Sequence, residues 1–281
     1  MNHLKAKLEK KLGRMDDEFP GVMGLAVKDL ETGDELILNG DEVFPIASSI
    51  KIPVLIEFFK RAELGEIDTK RTLTFLEGHR VGGSGVLKEL GSETLTMNLL
   101  DYAILMITVS DNSATNIVID LVGIENVNQT LSQLGLTRTR LERKMMDAEG
   151  LKAGKENVST PREMMTLMES LYAKRVLSPQ VCEMTLEILK KPKEGIIEGV
   201  IRNSVSKDVK IANKSGWVDG ATCDIGIVYL PKRPYIVSLL TKHVPLSDEK
   251  TLATIEAMTK VTKLIHEYFT EMSLATPYGR R

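Results

Sequence analysis

The amino-acid sequence predicts an α+β fold with one five-stranded antiparallel sheet and two lobes. Three observations predict it: two strand-like runs lie near the start of the chain, three more lie near its end, and the middle has helical periodicity. A terminal helix accompanies each group of strands. We therefore expect a discontinuous sheet lobe from residues 1–45 and 195–281, an inserted all-helical lobe over residues 46–194, and a cleft between them.

Local patterns justify each element. Leucines spaced by four residues predict a helix over residues 1–16, and an apolar register predicts a last helix over residues 248–269. Apolar runs bounded by turn residues predict strands at 21–30, 35–38, 210–217, 224–230 and 235–243. The middle predicts helices at 48–64, 97–109, 112–122, 125–134, 161–171 and 179–189. Residues 139–160 have no clean period and predict a long ordered loop, a feature that is often functional.

Composition and charge exclude several classes of protein. The 281 residues are 42% hydrophobic and 27% charged, which is typical of a globular chain and excludes disorder. Lys and Arg number 37 against 39 Asp and Glu, so the basic excess of a nucleic-acid-binding protein is missing. No apolar run approaches the ~20 residues that span a bilayer. We expect a soluble protein without nucleic-acid or membrane partners.

Cysteine, histidine and leader patterns narrow the expectations further. The two cysteines, Cys182 and Cys223, predict reduced, partly buried thiols rather than a disulfide framework. None of the four histidines has another His, a Cys or a carboxylate at metal-ligand spacing, and no phosphate-binding motif is present, so we expect no metal and no cofactor. The N-terminus lacks the apolar stretch of a secretory leader. As written, the chain predicts a cytoplasmic protein, and a secreted or periplasmic one if a leader was removed.

The first candidate motif is Ser48-x-x-Lys51 at the start of a predicted apolar helix. This spacing puts both side chains on one helical face, and the helix N-terminus offers N–H groups to a developing anion. A serine needs a base to become a nucleophile, and a lysine serves when burial and a neighbouring cation lower its pKa. The same pattern recurs at residues 204–207 and 247–250, so one match alone has little weight.

Two further motifs follow in order along the chain. Ser110-Asp111-Asn112 lies between two predicted helices, where it also fits an ordinary helix cap, and Lys214-Ser215-Gly216 lies on the first late strand. The combination of S-x-x-K, S-D-N and K-[ST]-G is the signature of class A β-lactamases and penicillin-binding proteins. On these motifs, on Phe44-Pro45 and on residues 139–143, the chain resembles a class A β-lactamase-related serine hydrolase from its first helix to its last.

The resemblance implies a β-lactamase-like fold, with the active site between the lobes, and an acyl-enzyme mechanism. Ser48 would attack a carbonyl carbon, with Lys51 as base. Ser110 would pass a proton to the leaving nitrogen, and Lys214 would supply positive charge. The resemblance implies substrate-binding roles for Asn112, Ser215, Gly216 and Trp217. Backbone N–H groups of Ser48 and Trp217 would form an oxyanion hole.

Two departures from the family bear on the reaction. Class A β-lactamases carry a glutamate in the long loop that activates the deacylating water, and alignment on residues 139–143 places Met145 there. A thioether cannot take a proton from water, which leaves Asp147 and Glu149 as candidate substitutes. Many β-lactamases also carry an arginine one strand after K-[ST]-G, but residues 221–226 contain no cation.

Three functions stay open. The first is a hydrolase that opens β-lactam rings and deacylates, either fast or, because Met145 replaces the glutamate, slowly. The second is a D-alanyl-D-alanine peptidase or esterase that uses the same serine. The third is a penicillin-binding or sensor module that is acylated without turnover. In each, the partner is a small-molecule β-lactam or an acyl or peptide substrate, and we expect a monomer.

Overall fold

The computed structural model describes residues 2–276 and 279–280. The chain divides into two compact units. Unit 1 comprises Met1–Ser49, Ser159–Glu169 and Glu198–Arg281, and unit 2 comprises Ile50–Val158 and Ser170–Ile197.

The helices and strands are numbered in chain order. The helices are α1 Asn2–Asp17, α2 Lys51–Glu63, α3 Leu99–Thr108, α4 Asn112–Val122, α5 Ile124–Gln133, α6 Ala148–Lys152, α7 Pro161–Tyr172, α8 Pro179–Lys190, α9 Gly199–Ser204 and α10 Asp248–Leu274. The strands are β1 Val22–Asp29, β2 Glu35–Leu38, β3 Phe44–Pro45, β4 Thr72–Thr74, β5 Thr96–Asn98, β6 Val158–Ser159, β7 Ile211–Val218, β8 Ala221–Val228, β9 Tyr235–Lys242, β10 Ala275–Thr276 and β11 Gly279–Arg280. Short 3₁₀ turns include Ala47–Ile50.

Unit 1 contains the predicted five-stranded antiparallel sheet, which is confirmed. The strand order is β2-β1-β9-β8-β7, so β7 lies at an edge. The antiparallel register pairs Val22 with Lys242 and Gly216 with Cys223. One hydrophobic core joins the sheet to α1, α9 and α10, because the apolar stripe of each helix is buried against sheet residues such as Leu25 and Val237.

Ser159–Glu169 belongs to unit 1 through polar contacts that the sequence pattern did not reveal. Glu169 forms an ion pair with Lys28 at 2.9 Å, and the Arg162 guanidinium binds Asp41 at 2.9 Å. The Arg162 backbone N–H also donates to the Gly40 carbonyl at 2.9 Å. The predicted division assigned this segment to the helical lobe over residues 46–194. The structure differs there because these ion pairs and hydrogen bonds join the segment to residues 28–41 of unit 1.

Unit 2 is built on α2. Every residue of α2 from Lys51 to Phe59 is buried, since α3, α4, α5 and α8 all pack against this helix. The remaining α2 residues, toward Glu63, are partly or fully exposed. A small antiparallel pair, β4 with β5, joins these helices and was not predicted. The long loop contains the short helix α6, and the pairing of Arg140 with Val158 orders its base.

Candidate active site

Ser48 lies in a tight turn of unit 1. We name Ile46–Ser49 the serine turn. The Ser49 N–H donates to the Ile46 carbonyl at 2.8 Å, which is 3₁₀ geometry, and α2 begins only at Lys51. The prediction that Ser48 starts the α-helix was therefore wrong by one turn. Ala47, just before Ser48, has a φ of 41°, which is costly for a residue with a Cβ atom.

The edge strand β7 approaches the serine turn closely, and Gly216 makes this approach possible. A Cβ atom at Gly216 would lie 2.7 Å from the Ser48 nitrogen and 3.0 Å from the Ser49 nitrogen. Only glycine allows backbone atoms this near. The approach brings the Ser48 N–H beside the strand that carries Trp217. The backbone N–H groups of Ser48 and Trp217 are the two that we expect to form an oxyanion hole.

The other predicted residues of β7 have contrasting environments. The Lys214 side chain is fully buried, and its amine donates to the Ser215 carbonyl at 2.6 Å. Ser215 is also buried, whereas Trp217 is 53% exposed. The strand β7 thus buries the Lys214 amine and exposes the Trp217 ring.

In unit 2, the Lys51 amine joins two of the other predicted residues. This amine is fully buried and donates to the Ser110 carbonyl at 2.8 Å, the Ser110 hydroxyl at 3.0 Å and the Asn112 side-chain oxygen at 3.0 Å. Three oxygen atoms thus surround the Lys51 amine, which offsets the cost of burying it. Ser110 has a φ of 53°, so its backbone is held in the left-handed region.

Asp111 organises the loop in front of this cluster. One carboxylate oxygen accepts from the Val86 and Leu87 N–H groups at 2.7 and 2.8 Å. The other accepts from the Ala114 N–H at 2.9 Å and so caps α4. The Asn112 amide donates to the Gly82 carbonyl at 3.1 Å. The glycine-rich stretch from residue 82 to 87 is therefore tied to the S-D-N motif.

The long loop holds Met145 at a defined place. The Asn116 amide binds the Met145 backbone on both sides, accepting from its N–H at 2.8 Å and donating to its carbonyl at 3.0 Å. The Met145 side chain is 8% exposed. Arg143 closes the loop through an ion pair with Glu156 at 2.9 Å. A thioether thus occupies the buried position that Asn116 fixes.

Both candidate substitutes for the family glutamate have other partners. The Asp147 carboxylate accepts from the Gly150 N–H at 2.8 Å and caps α6. The Glu149 side chain is 85% exposed and pairs with Lys152 at 2.8 Å. Asp147 is thus engaged at the start of α6, and Glu149 is engaged at the exposed surface.

Three residues near these motifs escaped the sequence analysis. Ser49 donates to the Lys214 carbonyl at 2.9 Å, Cys223 lies 3.1 Å from the Ile46 carbonyl, and Asn116 holds Met145. Cys223 and Cys182 are both fully buried, whereas we expected partly buried thiols. Neither cysteine forms a disulfide. No local motif marks these residues, because each acts across the fold.

Metal-ligand clusters and membrane-spanning helices are both absent from the part of the chain that the structure describes. Over residues 2–276 and 279–280, no three His, Cys, Asp or Glu side chains are grouped so that they could hold a metal ion. Within the same residues, no helix has the length and apolar character needed to cross a bilayer. The monomeric state and the compartment stay predictions.

The α+β fold carries an S-x-x-K serine, a buried lysine bound to the S-D-N serine, and an edge strand with the K-S-G motif. Together these features define a serine β-lactamase-like hydrolase of class A type. Residues 7–269 match the model of the β-lactamase enzyme family, and the chain belongs to that family.

Curated relatives and solved structures are similar to this chain over most of its length. β-Lactamase CARB-4 of Pseudomonas aeruginosa is 27% identical over 89% of this chain and 86% of its own. β-Lactamase SME-1 of Serratia marcescens is 26% identical over 90% and 86%. The structure of PBP-A superposes with a TM-score of 0.83 at 28% identity, covering 94% of this chain and 96% of that one. A mutant of PBP-A, solved as an acyl-enzyme complex with penicillin G, superposes at 0.82, with 27% identity over 96% and 97%.

Proposed function

We propose that the protein is acylated on Ser48 by β-lactams and releases the opened product slowly. The observation that carries the proposal is the Lys51 amine, which is buried against a hydroxyl and an amide oxygen and follows Ser48 by three residues. In its neutral form this amine has a lone pair that can take the proton of a serine, and its hydrogen bonds to Ser110 and Asn112 hold it in one orientation.

The acylation step uses the residues in separate roles. The Ser48 oxygen attacks the β-lactam carbonyl carbon while Lys51 accepts its proton, and the C–N bond of the ring then breaks. Ser110 passes its hydroxyl proton to the departing nitrogen. Ser110 then recovers a proton from Lys51 through the hydrogen bond between them. Developing negative charge on the carbonyl oxygen is stabilised by the N–H groups of Ser48 and Trp217.

Substrate recognition follows from the remaining polar groups. Asn112 binds the side-chain amide of the substrate. Lys214 and Ser215 attract its carboxylate, and Gly216 leaves room for the backbone approach. The substrate is a small molecule that carries a strained or activated acyl group.

Deacylation is the slow step because nothing in the long loop activates water well. Met145 occupies the position that Asn116 fixes, and sulfur is only a weak acceptor. Asp147 and Glu149 are engaged with α6 and Lys152. The ester on Ser48 therefore persists once it has formed.

The test is a time course of intact mass after penicillin G is added. We expect one adduct on Ser48 that persists for hours, and none in the Ser48→Ala variant. Rapid loss of the drug without an accumulating adduct would contradict slow deacylation. An adduct on Ser48→Ala would contradict the assignment of the nucleophile.

A second candidate function is a D-alanyl-D-alanine peptidase or esterase. It is favoured by residues 221–226, which carry no arginine, because an acyl substrate without the carboxylate of a β-lactam would not need that cation. A D-alanyl-D-alanine peptide and a matched thioester, assayed beside penicillin G, separate the two functions. Faster turnover of the peptide or thioester would favour the second.

A further inference from the structure

Two buried side chains hold the serine turn against the sheet: Ser49, at a variable position of the S-x-x-K motif, and Cys223, which lies in no motif. Cys223, on β8, lies opposite Gly216 of β7 in the antiparallel register. Its sulfur lies 3.1 Å from the Ile46 carbonyl, 3.2 Å from the Ser49 hydroxyl and 3.4 Å from the Gly216 carbonyl. It thus contacts both ends of the serine turn and the glycine of the edge strand.

The available hydrogens define how this cluster is bonded. The single Ser49 hydroxyl hydrogen is donated to the Lys214 carbonyl at 2.9 Å. The single Cys223 hydrogen then has three acceptors in reach, namely the Ile46 carbonyl, the Ser49 oxygen and the Gly216 carbonyl. Burial raises the pKa of the Cys223 thiol to about 12. The thiol therefore keeps its proton at neutral pH and stays a donor.

The geometry points to Cys223 and Ser49 as positioning residues for acylation: their hydrogen bonds fix the serine turn on β7 and so set the distance between the Ser48 N–H and the strand. This inference rests on the proposed acylation of Ser48 and names the groups that hold its oxyanion donor.

Two features make such a restraint necessary. Ala47 has a φ of 41°, a conformation that persists only when surrounding contacts enforce it. The clearance at Gly216 is also small, with the Ser48 nitrogen only 2.7 Å from where a Cβ atom would lie. A turn that relaxed would move its N–H away from the carbonyl oxygen that it must stabilise, and small displacements of this kind slow reactions strongly.

The experiment compares acylation rates by penicillin G in four single variants of the full chain and in the Cys223→Ala, Ser49→Ala double variant. Cys223→Ala removes the thiol, Cys223→Ser replaces it with another donor, and Ser49→Ala removes the hydroxyl with little loss of volume. Cys182→Ala is the matched control, because Cys182 is equally buried but lies in unit 2 and contacts the Leu177 carbonyl at 3.5 Å.

We expect Cys223→Ala and Ser49→Ala to lower the second-order acylation rate about tenfold, which corresponds to about 1.4 kcal/mol of activation free energy. Cys223→Ser should recover to within about threefold of wild type, and Cys182→Ala should keep the wild-type rate despite a lower unfolding midpoint. Because the two groups share a hydrogen bond, the double variant should be less impaired than the product of the single effects.

A folded Cys223→Ala or Ser49→Ala variant that acylates at the wild-type rate would overturn the inference. Equal slowing in Cys223→Ala and Cys223→Ser would also overturn it, since packing volume would then be the cause. Wild-type protein that forms no adduct refutes the proposed function instead. In that case, hydrogen exchange at the serine-turn amides still decides the matter: faster exchange in Cys223→Ala supports the restraint, and unchanged exchange contradicts it.

Discussion

Replacing Gly216 with alanine tests the link between the edge strand and the nucleophile directly. The new Cβ atom would lie 2.7 Å from the Ser48 nitrogen, 3.0 Å from the Ser49 nitrogen and 3.1 Å from the Cys223 sulfur. Ordinary contacts begin at 3.4 Å, so strand and turn must separate by about 0.7 Å at the closest point. The added methyl group is small, but the two atoms closest to it are backbone nitrogens that cannot rotate away.

The expected effect has two parts. A shift approaching 1 Å in a group that stabilises the transition state costs about a hundredfold in rate, so acylation of Ser48 by penicillin G should slow by about that factor. Overpacking should also lower the free energy of unfolding by about 1–3 kcal/mol. The assay follows adduct formation by intact mass, alongside urea unfolding to confirm that the variant is folded.

Gly13→Ala supplies the control. Gly13 lies within α1 with nothing inside 4 Å of its new Cβ atom, so alanine there should leave acylation unchanged. It should raise stability by about 0.5–1 kcal/mol, because glycine is a poor helix former. If Gly216→Ala folds and acylates within about threefold of wild type, the Ser48 N–H has no part in stabilising the oxyanion.

Two other predictions concern deacylation and pH. Met145→Glu should shorten the life of the acyl-enzyme at least tenfold by supplying a base for water, while the exposed neighbour variant Met146→Glu should not. Equal lifetimes in a folded Met145→Glu variant would show that this side chain does not face the ester. Burial lowers the pKa of His266, whose ordinary value is 6.5, so the unfolded chain binds the proton more tightly. The free energy of unfolding contributed by His266 should be full above pH 6.5 and should fall as the pH drops through the lower pKa of the folded state. In urea unfolding, His266→Gln should make this fall shallower. An equal loss of stability in the wild type and the variant would mean that another group causes the fall.

The strands were predictable because each is a run of apolar residues between turn residues. The predicted strand at 235–243 and the observed Tyr235–Lys242 differ by one residue. The strand predicted at 224–230 instead begins at Ala221, because Gly220 closes the hairpin with a φ of 73° and Val218 pairs with Ala221. The glycine is visible in the sequence, but the strand register that places it in the turn is not.

The site was predictable only as far as its motifs extend. Residues such as Lys51 and Ser110 stand out because the chemistry needs those side chains in a recognisable local order. Cys223 reaches the serine turn only through the pairing of β8 with β7, and Asn116 reaches Met145 only through the folding of the long loop. Contacts of this kind depend on tertiary register and leave no local pattern. The 3₁₀ turn at Ser48 was missed for the same reason, since Ser49 and Cys223 hold it from outside the helix.

The pairing of β1 with β9 has a consequence for how the protein is made. Val22 pairs with Lys242, so the central ladder of the sheet cannot form until residue 242 has left the ribosome. Unit 2 is complete by residue 197 and has its helices close together in sequence. It can therefore fold first, while the β1–β2 hairpin waits with an open edge. Closing so long a segment slows assembly, and the waiting edge is the part of the nascent chain most exposed to aggregation.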